Sequence, residues 1–474
     1  MKRRSLLRQI LDSTPGRIGV ALALVLGTIS LLVVATFPLD FGPARWSNPA
    51  VWADYPKAVP PAWTDALSGG SAARHQIVET TEPSESTERG DARVEVFDLA
   101  FEHTADAPPT FLSFSLGEVR YQERPPSLSL TLLRPDGTSV PLLRTTIRGP
   151  RAGEEPPYVR HDETPLRVLL TSEPETAQAA SEMLSEAYGV DIPARELQDD
   201  VAAALFGVPD EAGGLQPLHG EYVAQVRMAL ADPADSVAWV RAVAGGTVYG
   251  LLGTDGSGRD LAEGLAFGLP VALLIGLTAA TVSTAIGTGL GMLSGYKGGR
   301  TDLLIQRAAD VVNNVPLLPL LIFFVFVFGA QLWLILLLLV AFSWPGLTIL
   351  VRSMVLGLSG SQEVEAARAI GASSRHILVR HIFPHTAPYV FTQLIFFVPA
   401  VILAEAGLSF LGLGDPSLPT WGQILEDGFR TGAVFLGYWW WVVSPGLLIV
   451  ITAMTFMLLA LAMEPIVNPK LRRD

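Results

Sequence analysis

The sequence contains no cysteine among its 474 residues, which excludes disulfide bonds, thiolate metal sites and cysteine nucleophiles. Charged residues are also scarce, at 17% of the chain, whereas a soluble domain usually has about a quarter. Hydrophobic residues instead make up 49%. This composition disfavours a wholly soluble protein and excludes a disordered one.

Several catalytic signatures are missing as well. There is no GxxxxGK[ST] segment, so we expect that the chain does not hydrolyse ATP itself, and neither HExxH nor GxSxG occurs. We therefore predict no catalytic residues and no cofactor. Lysine is rare too, with four in the chain. Few lysines among many acids fits either a high-salt setting or GC-rich codons, and both explanations remain open.

Charge is distributed unevenly along the chain. Residues 44–262 carry a net charge of −16, whereas the rest of the chain sums to +3. The sequence thus predicts an acidic, water-exposed insert within a weakly basic, apolar remainder. The insert has no basic patch, which argues against a nucleic-acid partner.

Long apolar runs occur at both sides of this insert. A bilayer core needs about 20 apolar residues in a helix. The runs that could cross a bilayer are Ile18–Phe37, Gly268–Leu293, Val311–Val351, Val390–Phe410 and Trp439–Met463. The first follows Lys2, Arg3, Arg4 and Arg8 and precedes Pro38, which is typical of an uncleaved anchor with a cytoplasmic N-terminus.

The run Val311–Val351 decides the predicted topology. It is long enough for two spans, with residues 329–331 as the turn between them. Six spans would place in the cytoplasm all basic residues that do not belong to the insert, except Arg430. This distribution agrees with the positive-inside rule. We therefore expect an α-helical polytopic membrane protein with six transmembrane helices and both termini in the cytoplasm.

The predicted domains follow from this topology. Residues 1–43 would form the cytoplasmic N-terminus and helix 1, residues 44–250 an acidic extracytoplasmic insert between helices 1 and 2, and residues 251–474 a five-helix core. Within that core, residues 352–388 would be a cytoplasmic loop. The protein would then reside in the cell membrane and contact its lipid bilayer.

Residues 44–250 are too many for an unstructured loop, and their pattern predicts a mainly-β domain with two helices. We interpret the stretch to about residue 90 as a linker because it is rich in Pro, Ser, Gly and Glu. The predicted elements are strands around Val94–Phe101 and Phe111–Leu116, a hairpin of Ser127–Leu133 and Ser139–Ile147 with its turn at Pro135-Asp136-Gly137, a strand Leu166–Thr171, a helix Thr176–Tyr188 ended by Gly189, a helix Ala194–Phe206, and a final strand Glu221–Leu230. The scattered histidines are predicted to lie at the surface: His75, His103, His161 and His219.

Gly287, Gly291 and Gly295 recur at four-residue spacing, which lets another helix approach closely. Packing within this bundle is the favoured interpretation, and contact with a partner subunit is the alternative.

The segment from Ser359 to Val390 predicts a helix, a bend and a second helix. Ser359 and Gln362 fit a capping box, and Val364, Ala367 and Ile370 would share one apolar face. Gly371 can end the first helix in a left-handed conformation. Ser373 can start the second, which Pro384 would end. His376, His381 and His385 also cluster here, but Arg375 and Arg380 beside them disfavour a metal site, so we predict none.

This segment resembles the EAA loop of binding-protein-dependent ABC importer permeases, with Glu365-Ala366-Ala367, Gly371 and Pro384 in register. His381 replaces the usual Ile and resembles the oligopeptide/dipeptide/nickel branch of that family. Two further strings of that branch are similar here, LLGTDGSGRD (251–260) and LAEAGLSFLGLGDPSLPTWGQIL (403–425). The long insert departs from the family, whose first external loop is usually far shorter.

The resemblance implies a non-catalytic permease subunit that moves di- or oligopeptides, or alternatively nickel or another small solute. It also implies a second homologous permease, two cytoplasmic ATPase subunits and an external solute-binding protein as partners. Glu365, Ala366, Ala367, Gly371 and Pro384 would form the ATPase-coupling element. The insert would either touch the external binding protein or be a decoration.

Four charged residues could line the translocation path or its gate. Glu405 lies in an apolar span, where acids are functional candidates, although a helix-packing role is favoured. Asp255, Arg259 and Asp260 precede span two and could pair with one another. A membrane-anchored receptor or sensor is the rival of another class, but the sequence offers no cytoplasmic signalling module for it.

Overall fold

The computed structural model describes residues 6–89, 92–198, 200–210 and 214–467. The chain divides into two compact units: residues 1–49 together with 261–474, here called the helical unit, and residues 50–260, here called the β-rich unit. Six of the basic residues that set the predicted topology lie outside the described residues: Lys2, Arg3, Arg4, Lys470, Arg472 and Arg473.

The chain begins with a short helix α1 (Leu6–Leu11) and the long apolar helix α2 (Thr14–Thr36). Ser13 caps α2, because its hydroxyl accepts a hydrogen bond from the backbone N–H of Gly16 at 3.1 Å. Pro38 follows the helix end and cannot continue it. A π-helical turn then covers Gly42–Trp46, with Trp46 buried in the helical unit.

The β-rich unit contains short helices and many strands. Its helical segments are the 3₁₀ turns Ala62–Thr64 and Leu170–Ser172 and the α-helices α3 (Asp65–Ser68), α4 (Pro174–Tyr188), α5 (Ala194–Leu197) and α6 (Val201–Phe206). Its strands are β1 (Gln76–Thr80), β2 (Glu85–Arg89), β3 (Ala92–His103), β4 (Leu112–Leu116), β5 (Val119–Tyr121), β6 (Ser127–Leu133), β7 (Ser139–Thr146), β8 (Tyr158–Arg160), β9 (Leu166–Leu169), β10 (Gly207–Pro209), β11 (Leu215–Pro217), β12 (Gly220–Leu230), β13 (Ser236–Val237) and β14 (Val240–Ala244).

Two antiparallel sheets enclose the core of this unit, one in the order β1-β14-β4-β9 and the other in the order β2-β3-β12-β6-β7. Along β6 the side chains alternate between buried and half-buried, as expected for a strand with one face on a core. Leu99, Phe114, Leu130 and Val226 meet in this core, and α4 and α6 add Leu184 and other apolar side chains. Smaller sheets pair β10 with β11 and order β13-β5-β8.

Some local predictions for this unit are confirmed. The hairpin of β6 and β7 forms around Gly137, whose φ of 83° suits its turn. The helix α4 ends at Gly189, which has a φ of 70°.

Other predictions for this unit are wrong. Residues up to about 90 are not a linker, because β1 pairs with β14 and β2 pairs with β3. The strand at 221–230 is not the last, since β13 and β14 follow it. The predicted helix at 194–206 is broken into α5 and α6, and His103 is 3% exposed rather than at the surface.

The second part of the helical unit is almost entirely helical. Its helices are α7 (Leu261–Lys297), α8 (Gly299–Asn314), α9 (Leu317–Phe328), α10 (Leu332–Ser359), α11 (Gln362–Ala369), α12 (Ser374–Ile377), α13 (Phe383–Leu408), α14 (Trp421–Arg430) and α15 (Trp439–Val467). π-helical turns cover Leu378–Ile382 and Ser409–Leu413.

Five helical segments of the described residues are long and apolar enough to cross a membrane, and the bent pair α8–α9 raises the number to six if it counts as one span. The turn predicted at residues 329–331 lies between α9 and α10, where Gly329 has a φ of 83°. The pair α8–α9 is bent by 76° at Val315 and Pro316, so the span before that turn is a broken one.

The spaced glycines of α7 pack against α10, as the favoured interpretation predicted. A Cβ atom on Gly287 would approach the carbonyl oxygen of Trp344 to 2.9 Å, and one on Gly291 would approach that of Thr348 to 2.7 Å. The Thr348 hydroxyl donates a hydrogen bond to the Gly287 carbonyl oxygen at 3.1 Å. Small residues therefore bring these two helix backbones into direct contact.

Candidate functional site

The loop between α10 and α13 holds the residues that the sequence singled out. The helix α11 begins after Ser361, not after Ser359 as predicted, and Ser361 makes no side-chain cap. Ser359 is instead the last residue of α10, where its hydroxyl donates to the Val355 carbonyl oxygen at 2.7 Å. Glu363 and Glu365 lie in the first turn of α11, where the helix dipole favours acids.

One side of α11 is fixed to the helical bundle. Val364 is 2% exposed and Ala367 is buried beside it, in a cluster with Val351, Val355 and Ile382. Ile370, predicted to share this face, is 86% exposed because the helix ends at Ala369 and the chain turns away. The other side of α11 presents Glu365 and Ala366 to the surroundings.

Two histidines hold the start of α11 against the turn that follows α12. The ring Nδ1 of His381 donates to Glu363 Oε1 at 2.8 Å, and His385 Nε2 lies 3.5 Å from Glu363 Oε2. Hydrogen bonds from His381, which have the larger effect, and from His385 hold the pKa of Glu363 below its ordinary value. Within the described residues, no three His, Asp or Glu side chains come together in a group that could hold a metal ion.

Gly371 forms the bend after α11. Its φ of 83° lies in the left-handed region, as predicted, and its N–H donates to the Arg368 carbonyl oxygen at 3.0 Å. A Cβ atom at this position would meet nothing within 4 Å. Within the described residues, no neighbour therefore excludes a side chain at this position, and the need for glycine comes from the backbone conformation.

The segment after the bend is continuous with a membrane-spanning helix. Ser373 caps α12, since its hydroxyl accepts from the His376 N–H at 3.3 Å. Pro384 does not end the second helix as predicted. It lies in the first turn of α13, where a missing N–H is tolerated, and the helical path runs from Ser374 to Leu413.

Glu405 is 3% exposed and lies at the far end of α13. The Ser409 hydroxyl donates to Glu405 Oε1 at 2.8 Å. Beside it, α14 packs so closely that a Cβ on Gly422 would approach the Ala406 carbonyl oxygen to 2.5 Å. The string 403–425 thus forms a tight joint between α13 and α14, which supports a packing role for Glu405.

Asp255, Arg259 and Asp260 belong to a compact turn of the β-rich unit. Asp255 is 1% exposed and forms an ion pair with Arg259. Its Oδ1 accepts from the N–H groups of Ser257 and Arg259 at 2.8 and 2.9 Å. Thr254 and Asp260 form an isolated β-bridge across this turn. These contacts give the string LLGTDGSGRD a structural role within its unit.

The structure also reveals polar groups that sequence reasoning missed. Asp302 of α8 accepts from Arg352 of α10, with Nη2 at 2.5 Å, and from the Ser294 hydroxyl of α7. Gln306 donates to Ser294 Oγ at 3.0 Å. Spacing along one helix could not have shown this network, because its members come from α7, α8 and α10.

A cavity of about 250 Å³ lies between α7, α10 and α13. Its lining combines hydroxyl, amide and apolar side chains: Ser283, Thr284, Ser343, Gly346, Leu347, Leu350, Gln393 and Phe397. These residues come from three helices that are far apart in the chain, so no local pattern in the sequence predicted the group.

The helical unit of this chain matches a known protein family. Residues 287–473 match the family "Binding-protein-dependent transport system inner membrane component". The oligopeptide transport system permease protein OppC of Haemophilus influenzae is 36% identical over 223 residues, which are 47% of this chain and 71% of that protein. The dipeptide transport system permease protein DppC of Bacillus subtilis is 34% identical over 222 residues, 47% of this chain and 69% of that protein.

A solved structure, the MetNI methionine ABC transporter in an inward-facing conformation, is 20% identical, with 44% of this chain and 96% of that chain covered and a TM-score of 0.35. The sequence relatives carry the assignment: the chain belongs to the family of binding-protein-dependent inner-membrane transport permeases. It is a membrane-embedded transport subunit with the oligopeptide and dipeptide permeases among its relatives.

Proposed function

We propose that this chain is one of two homologous permease subunits of an ATP-driven importer for di- and oligopeptides. Relatives named for oligopeptide and dipeptide transport support the substrate class. In this proposal an external solute-binding protein delivers the peptide, and two cytoplasmic ATPase subunits supply the work.

The proposed topology has six transmembrane helices, with the bent pair α8–α9 as the third. Both termini and residues 352–388 then lie in the cytoplasm, and the acidic domain at residues 44–250 lies outside. The basic residues Arg352, Arg368, Arg375 and Arg380 in or beside the loop support this orientation.

The observation that carries the proposal is the form of the loop itself. Glu365 and Ala366 are exposed on the short helix α11, whose opposite side is fixed to the bundle by Val364 and Ala367. Gly371 is exposed in the bend that follows. Because its exposed side chains include small ones, this helix can enter a groove on a partner protein. We propose that this exposed side is the ATPase-coupling surface.

Force on this surface would reach the membrane through two connections. The helix α11 packs near the end of α10, and the path through α12 and Pro384 continues into α13. A rigid element of this kind converts the closure of an ATPase pair into movement of spanning helices. The Glu363–His381 hydrogen bond would add to the rigidity.

Purification from a membrane extract tests this proposal. We expect two ATPase chains and a second permease to co-purify with this protein, and the complex in liposomes to import peptides when ATP is supplied. Recovery of the folded chain without ATPase subunits would contradict the proposal.

A further inference from the structure

The cavity between α7, α10 and α13 lies near the middle of α10, since Ser343 and Gly346 are the twelfth and fifteenth residues of that 28-residue helix. Gln393 lies at a similar distance from the start of α13. Its polar lining is therefore far from either end of these spans.

The Ser283 hydroxyl of this cavity donates to the Val340 carbonyl oxygen at 3.5 Å, but two other polar groups of the lining have no such partner. In the part of the chain that the structure describes, the Gln393 amide and the Ser343 hydroxyl make no hydrogen bond. An amide without partners in hydrocarbon is costly, and polar side chains inside spans usually mark a pathway for water or solute. Gln393 carries two N–H donors and a carbonyl acceptor that remain available here.

The glycine in the lining keeps the cavity open. A Cβ atom on Gly346 would meet nothing within 4 Å, so close helix packing does not explain this glycine. This differs from Gly287 and Gly291 of α7, where a Cβ would meet the backbone of α10. A side chain at position 346 would instead occupy the cavity.

We propose that this cavity is the part of the permease that contacts the passing peptide, and that it binds the peptide backbone through neutral hydrogen bonds. The inference rests on the function proposed above. Ser343 and Gln393 can donate to peptide carbonyls and accept from peptide N–H groups. None of the lining residues carries a charge. The site therefore recognises the amide groups that all peptides share. It does not distinguish peptides by the charge of their side chains.

The chemistry of the lining also separates peptides from metal ions. Hydroxyl and amide groups bind Ni²⁺ poorly compared with imidazole and carboxylate groups, neither of which lines the cavity. Glu405, the acid of α13, bonds to Ser409 and is not among the lining residues.

The test uses the complete complex in liposomes with its binding protein and a tripeptide. Gly346→Leu should lower peptide uptake about tenfold or more by filling the pathway, while the purified complex keeps its full subunit content. Gly357→Leu is the matched control, because a Cβ at this glycine of the same helix also meets nothing within 4 Å and position 357 is outside the cavity. Normal uptake by Gly346→Leu would overturn the proposal.

A second variant tests the hydrogen bonds themselves. The wild-type complex should import the tripeptide about fivefold faster than its backbone N-methylated form, and Gln393→Leu should abolish most of this preference. Unchanged preference, or loss of the second permease from the purified Gln393→Leu complex, would overturn the proposal. If the wild-type complex imports no peptide at all, the proposed function fails, and this inference fails with it.

Discussion

At the scale of single residues, the backbone conformation at position 371 is what requires glycine there. Its φ of 83° is costly for any residue with a Cβ, although no neighbour lies within 4 Å of that position. Strain and docking at this residue can therefore be separated experimentally. Asparagine tolerates the left-handed conformation better than other residues with a side chain.

We predict that Gly371→Val uncouples ATP hydrolysis from transport. The left-handed conformation should cost the variant about 1–2 kcal/mol, which displaces the bend after α11. ATPase activity of the purified complex should persist while peptide uptake is lost. Gly371→Asn is the control for strain and should recover part of the uptake, whereas normal uptake by Gly371→Val would contradict the coupling role.

The ion pair between Asp302 and Arg352 is the second residue-scale feature. Both side chains are more than two-thirds buried, and Asp302 also accepts from Ser294. Removing one partner leaves a largely buried charge without compensation.

We predict that Asp302→Ala destabilises the folded protein by about 2–3 kcal/mol. Thermal unfolding in detergent should show a clear fall in the midpoint. Asp310→Ala on the same helix is the control, because its pair with Arg307 spans 3.7 Å and is exposed. Its effect should stay within about 0.5 kcal/mol, and equal effects of both variants would contradict the role given to the pair.

At the scale of elements, α11 has two sides with different tasks. Val364 and Ala367 fix the helix to the bundle, and Glu365 and Ala366 remain exposed. Changes on the first side should therefore alter folding, and changes on the second should alter partner binding.

We predict that Ala366→Arg keeps the unfolding midpoint of the isolated subunit but prevents ATPase co-purification, because its large side chain would fill the partner's groove. In contrast, Val364→Ala should lower stability by about 1–2 kcal/mol through the buried methyl groups that it removes. Both variants are compared with the wild type by melting curves and by subunit content after purification. Loss of stability in Ala366→Arg would contradict the assignment of the two sides.

Sequence prediction succeeded for these elements where a single residue determines the local backbone conformation. The turn at Gly137, the helix end at Gly189 and the bend at Gly371 were predictable because each requires a particular residue at one position. The strand β1 was missed because its partner β14 lies far along the chain. The strand β2 neighbours its partner β3, but its sequence, ESTER, contains no apolar residue that would reveal a strand face.

The same reasoning applies to the candidate sites. The EAA segment was found by its resemblance, but the burial of Val364 and the exposure of Ile370 depend on where α11 ends. Ser359 and Ser361 look alike as helix caps in the sequence. The structure extends α10 through Ser359, so that α11 begins only after Ser361. Ser343 and Gln393 line the same cavity only because α10 and α13 lie on either side of it.

At the scale of the whole molecule, the β-rich unit is a self-contained structure inserted in a permease. Its first strand, β1, pairs with its last, β14, and the apolar side chains of its two sheets share one core. A unit closed in this way needs no contact with the rest of the chain to satisfy its sheets.

We predict that residues 50–260, produced alone, fold cooperatively in solution. Circular dichroism should show mainly β structure, and thermal unfolding should give a single transition. A fragment that begins at residue 90 is the comparison, since it lacks β1 and β2 and should be unstable. Equal stability of both fragments would contradict the pairing of β1 with β14.

The orientation of the coupling surface is the claim on which the whole account rests. Because the chain has no cysteine, Ala366→Cys and Ser185→Cys each introduce one exposed thiol, the first on α11 and the second on α4 of the β-rich unit. A membrane-impermeant maleimide applied to intact cells should label Ser185→Cys and leave Ala366→Cys unlabelled until the membrane is opened. Labelling of Ala366→Cys in intact cells would place α11 outside and contradict the account.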